Sequence, residues 1–147
     1  MKKMIKKVQF YLEKLNGLND LALLFLRLIL AYGFYMPAVN KWKNMEGIAQ
    51  WFESMNYPLP LLNAYLAGTA EAAGVILLFL GLGTRIISIP LIFTMIVAIF
   101  TVHIGNGFAA GDNGFEIPLY YLLMLFVLLT YGAGKYSLDF LIKKSNQ

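Results

Sequence analysis

The chain alternates long apolar runs with short polar breaks. Residues 21–39 carry one charge, Arg27, and residues 61–82 carry one, Glu71. Residues 86–103 are uncharged up to His103, and residues 117–131 carry no charge at all. A bilayer core of roughly 30 Å is crossed by about 20 apolar residues in helical form. Each run therefore predicts a transmembrane helix, the fourth a short one that takes its first turn from the loop before it. Strands of a membrane barrel would alternate apolar and polar residues, and these runs do not. A cleavable signal peptide is a poor reading of the first run, because bulky Tyr32, Phe34 and Tyr35 stand where small residues would be needed.

Three shorter segments have the spacing of interfacial helices. In residues 1–20, Met4, Val8, Tyr11, Leu12 and Leu15 recur at helical spacing among lysines, the pattern of a basic helix lying on anionic lipid. Met45, Ile48, Ala49, Phe52 and Met55 form a similar stripe, which the prolines of "YPLP" then end. Near the C-terminus two glycines in "GAGK" close the fourth run, and Ser137 is placed to cap a short helix in residues 135–147. The expected fold is all-α: a polytopic membrane protein, a four-transmembrane-helix bundle with short interfacial helices, in one domain over residues 1–147.

Composition agrees with that pattern. Of 147 residues 59% are hydrophobic, more apolar surface than a soluble domain of this size can bury. Charge then sets orientation. Of twelve basic residues, nine flank one side of the spans: Lys2, Lys3, Lys6, Lys7, Lys14, Arg85, Lys135, Lys143 and Lys144. Lys41 and Lys43 flank the other side, and Arg27 lies within a span. The positive-inside rule places both termini in the cytoplasm. The lysines flank spans and show no aromatic-basic face, so no nucleic-acid partner is expected.

With no cysteine, the chain offers no thiol chemistry and no thiolate metal site. One histidine, His103, builds no multi-histidine metal site alone. No sequence motif encodes a cofactor. Redox chemistry would need a bound small molecule, a quinone or a partner. An isolated charge inside the bilayer costs about 2.5–3.5 kcal/mol on insertion scales. The depths of Arg27 and Glu71, counted from the ends of their runs, predict an ion pair between them. On the outer side the helix ends gather Lys41, Trp42, His103, Asn106 and Glu116. The expectation is a cavity open to the outer leaflet, with His103 and Glu116 as proton-transfer groups at its mouth. Lys41, Trp42 and Asn106 would contact the ligand there, and Arg27 and Glu71 would lie deeper on the same path.

Four segments, "LGLGTR", "FTVHIGNGF", "NGFEIPLYYLLML" and "GKYSLDFL", resemble the DoxX family of small bacterial membrane proteins. The resemblance spans roughly residues 21–141 and includes Arg27, Lys41 and Glu71. It implies a four-helix membrane protein and a role as a quinone-associated oxidoreductase subunit, working with a partner redox protein or as a homo-oligomer. Many members carry a histidine four positions before the lysine, where Pro37 stands here. A mechanism with two histidines in one chain therefore loses one of them. The stretch "GLGTRIISIPLIFTMIVAIFTVH" also resembles a DoxX-like branch associated with copper-binding modified peptides. That resemblance implies a different class: a non-catalytic module for a lipid, a peptide or a copper-carrying partner, with His103 and Met95 or Met36 as metal contacts.

Overall fold

The computed structural model describes Gln9 and residues 15–146. The N-terminal stripe residues Met4, Val8, Tyr11 and Leu12 lie outside that range. Helix α1 spans Asn19–Lys43, α2 Met45–Ser54, α3 Pro60–Leu80, α4 Thr84–Ala98, α5 Glu116–Tyr131 and α6 Leu138–Ser145. After Ala98 the chain runs on through a π turn, Ile99–His103, and a 3-10 turn, Ile104–Asn106. There is no strand among the described residues. Three helical stretches are long and apolar enough to cross a membrane: Asn16–Lys43, Pro60–Leu80 and Thr84–Asn106. Helix α5 is apolar but has 16 residues, about 24 Å at 1.5 Å per residue.

The long helices pack as a ring, α1 most extensively on α3, then α4 on α5, with α3 on α4 and α1 on α5 completing it. Leu30, Phe34, Leu78, Leu91, Leu125 and Leu128 fill the centre and are almost fully buried. Small residues set the spacing. A Cβ added at Gly74 would sit 2.8 Å from Leu91 Cδ1, so α3 and α4 approach where a side chain would hold them apart. Outward-facing positions are large and apolar, among them Ile86, Phe93, Phe100 and Phe126. Exposed apolar side chains all around a helical ring suit lipid as the solvent.

Helix α2 lies across the Lys41 end of the ring. Asn44 caps it by accepting from the Gly47 amide at 3.1 Å. Its stripe is as the spacing predicts: Met45 and Phe52 are buried against Ala64 of α3, with Ile48, Ala49 and Met55 beside them. Pro60 occupies the first turn of α3, where its missing amide hydrogen has no bond to lose. At the opposite end Ser137 caps α6, accepting from the Phe140 amide at 3.2 Å.

Candidate functional site

A cavity of about 830 Å³ opens into the Lys41 end of the ring. All four long helices and α2 contribute to its lining, which is mostly apolar. That volume is in the range of sites that take a drug-sized molecule, about 300–1,000 Å³. Phe34, Pro37 and Tyr121 form one wall, and Trp51, Phe52 and Tyr57 another. Leu66 of α3 and Phe93 of α4 also line it and are well exposed. Phe93 lies near the middle of the Thr84–Asn106 stretch.

Each wall has a local cause. Pro37 has no amide hydrogen for the Gly33 carbonyl four residues back, so α1 loses a bond where it borders the cavity. Gly33 leaves the space that the Tyr121 ring occupies; a Cβ there would collide with the phenol. The π turn in Ile99–His103 holds one more residue than an α turn and so re-registers the side chains after it. Thr101, in that turn, accepts a hydrogen bond from the Tyr57 hydroxyl and ties the α2–α3 connection to α4.

Within this lining lies one buried ion pair. Lys41 Nζ donates to Glu71 Oε1 at 2.9 Å and Oε2 at 2.8 Å. The Glu71 side chain is 4% exposed and that of Lys41 17%. The Lys41 stem passes beside Gly68 of α3, where an added Cβ would lie 3.5 Å from Lys41 Cβ, an ordinary van der Waals contact. This corrects the expected partner of Glu71. Depth counted from the ends of the runs suggested Arg27, but antiparallel packing of α1 on α3 sets the register.

Arg27 is fully buried at the opposite end of the ring. It lies 14 positions from Lys41 on α1, about 21 Å along the axis. Its guanidinium donates to the carbonyls of Leu78 at 3.1 Å, Phe79 and Tyr136. The first two belong to the last turn of α3, whose carbonyls lack the regular partner four residues on; that of Leu78 also accepts from the Gly81 amide at 3.2 Å. Gly81 ends that helix in the left-handed region, φ 66°, and also leaves room for the guanidinium. Arg27 is therefore a clamp on a helix end, and it is absent from the cavity lining.

The remaining expected residues divide. His103 lines the cavity, half-buried, with its Nδ1 2.8 Å from the Asn113 carbonyl oxygen. Asn106 donates to the same oxygen at 3.2 Å and braces the loop from outside the lining. Glu116 is also outside it. Its Oε2 accepts from the Ala110 amide at 2.9 Å and its Oε1 from the Tyr120 hydroxyl at 3.1 Å. The loop does turn back as expected, with Gly107 at φ 79° and Gly114 packed on the Gly107 carbonyl. Glu116 returns with it and holds the loop instead of facing the cavity. Trp42 donates to the Gly68 carbonyl at 3.1 Å and seals α1 to α3, again outside the lining. The structure thus brings Lys41, Glu71 and His103 to one cavity.

The copper contacts do not assemble. Met95 and His103 both line the cavity but stand eight positions apart on one helical stretch, about 12 Å. Met36 is 57% exposed and outside the lining. Among the described residues no three histidine or acidic side chains gather as a metal site would need.

One structural residue escaped the sequence reading. Asp139 of α6 accepts from the Gly83 amide at 2.7 Å and the Thr84 amide at 3.1 Å, capping α4 from another helix. The signal was Gly83, which occupies the cap position with no side chain to supply an acceptor.

Comparison with known proteins places these features in a family. A protein of Haemophilus influenzae described as "Uncharacterized protein" is 35% identical over 136 residues, 89% of this chain and 90% of its own. A Bacillus subtilis protein described as "Putative oxidoreductase CatD" is 35% identical over 111 residues, 76% of this chain and 78% of its own. No solved structure matches. The DoxX family model matches residues 22–104, a stretch that carries Arg27, Lys41, Glu71 and His103. The chain belongs to the DoxX family.

Proposed function

We propose that this protein is the quinone-binding subunit of a bacterial inner-membrane oxidoreductase. Both termini would face the cytoplasm, with the cavity at the outer leaflet and α5 as a fourth, short span. The carrying observation is the cavity: apolar walls, a buried Lys41–Glu71 pair and His103 in one lining, with the exposed Leu66 and Phe93 read here as a side opening between α3 and α4. An isoprenoid quinone has that same division, an apolar tail and a ring with two polar oxygens. It would reach the site through the hydrocarbon between α3 and α4. Lys41 would donate a hydrogen bond to one ring oxygen, and Glu71 would keep the ammonium charged at that depth. His103 would exchange a proton with the other oxygen, since an imidazole nitrogen can hold or release one. Electrons would pass to or from a partner redox protein. The printed description of the Bacillus subtilis relative supports the oxidoreductase class.

Extraction of the purified protein tests this reading. Wild type should carry about one isoprenoid quinone per chain by mass spectrometry. The double variant Lys41→Met with Glu71→Gln should lose at least about ten-fold of it, the weight of one charge-assisted bond at the head group. Quinone at the level of bulk lipid in both would overturn the reading. The same side opening also suits a non-catalytic lipid-binding module, and one phospholipid per chain in place of quinone would identify that function.

A further inference from the structure

His103 meets the loop through an atom whose partner has only one role available. The Asn113 carbonyl oxygen, 2.8 Å from Nδ1, can accept a hydrogen bond and cannot donate one. Nδ1 must therefore carry the hydrogen. Asn113 holds that carbonyl by two devices: its own backbone in the left-handed region, φ 59°, and the second bond from Asn106 Nδ2 to the same oxygen. In the neutral imidazole only one nitrogen is protonated. Nε2 is then left with a lone pair, on a residue that lines the cavity.

The other polar groups in the lining fill complementary roles. The Lys41 ammonium has three N–H donors and spends two on the oxygens of Glu71. It is a donor with one bond to give. The cavity thus holds a donor at Lys41 and an acceptor at His103. A quinone has two carbonyl oxygens, both acceptors. One can meet Lys41, but the other faces the Nε2 lone pair with nothing to donate. A hydroquinone has two hydroxyls, each able to donate or accept, and satisfies both.

We propose that the Asn113 carbonyl fixes His103 as its Nδ1–H tautomer, so that Nε2 is the cavity's hydrogen-bond acceptor and the site binds a hydroquinone in preference to the matching quinone. This rests on the cavity being the ligand site. Asn113 is the positioning residue; it acts through His103.

The chain has a single histidine, so selective 15N-histidine labelling reports one residue. The protein, purified without a histidine tag and placed in lipid nanodiscs, should show a protonated Nδ1 and an unprotonated Nε2 at pH 8. That is the reverse of the form that dominates in free histidine. Binding is then measured under argon with 2,3-dimethyl-1,4-naphthoquinone and with its hydroquinone. The hydroquinone should bind about five-fold tighter or more, the weight of one hydrogen bond. In His103→Phe that ratio should fall to about one. The spectrum is taken on the unmutated chain, so the tautomer is decided even if the variant does not fold. A protonated Nε2, or equal binding of the two forms by wild type, would overturn this inference and leave the proposed function standing. An Nδ1–H spectrum with neither form bound would overturn both.

Discussion

Helix α1 buries a cation near each of its ends, and the two are neutralised in different ways. Arg27 is fully enclosed and donates to three main-chain carbonyls. Lys41 keeps some exposure and donates to a carboxylate beside a cavity. The choice of side chain follows. A guanidinium presents five donors in a fixed planar fork, which suits several carbonyls at a helix end. Those carbonyls also carry the negative end of the α3 dipole. Carbonyls do not titrate, so the Arg27 end is a permanent fastening. An ammonium against a carboxylate is a pair whose members can each meet a ligand or a proton. Under the proposed function the contrast gives stability to one end of the ring and chemistry to the other.

The sharpest test of that division is which way the ends face. Cysteines placed at Glu53, exposed on α2, and at Ser145, exposed on α6, should label from opposite sides of intact cells with an impermeant maleimide. Equal labelling of both from outside would remove the proposed orientation.

Stability should respond most at the fastening. Arg27→Met removes the side-chain donor from three carbonyls, of which that of Leu78 keeps the Gly81 amide, and should cost about 2–4 kcal/mol, read as a lowered thermal midpoint in detergent. It should leave the affinity of the folded fraction for quinone unchanged. If Arg27→Met abolished binding in folded protein, the two ends would not be separate.

The Lys41 end should show coupling. Glu71→Gln leaves a buried ammonium poorly matched, and adding Lys41→Met should recover about 1–3 kcal/mol of the loss. Additive losses would contradict the pair. At Asp139 the expected loss for Asp139→Asn is about 1 kcal/mol, the weight of one helix cap.

These comparisons also show what could be read from the residues. The four apolar runs gave helix ends within a few positions, because charges and glycines bound them: 61–82 against Pro60–Leu80, 117–131 against Glu116–Tyr131. Helix α1 runs on to Lys43 because lysine at a helix C-terminus is favoured by the dipole. The partner of Glu71 was not readable. Depth within a run does not report how two helices are shifted against each other. Glu116 misled for a related reason. Its nearness to the mouth was foreseeable, but its two bonds depend on a loop path set by contact of Gly114 with Gly107 and Phe108. That dependence yields the smallest prediction. Glu116→Gln should cost less than about 1 kcal/mol, since an amide oxygen still accepts from Ala110, and quinone content should not change.

The most direct measurement is where a photoreactive quinone attaches. Membranes containing the protein are incubated with an azidoquinone, illuminated, and the labelled peptides sequenced. Attachment should fall on α1 around Pro37–Lys41, on α3 around Ala67–Glu71 and on α4 near His103, and excess natural quinone should suppress it. Labelling at the Arg27 end, or spread along the outward faces of α4 and α5 without suppression, would contradict the account.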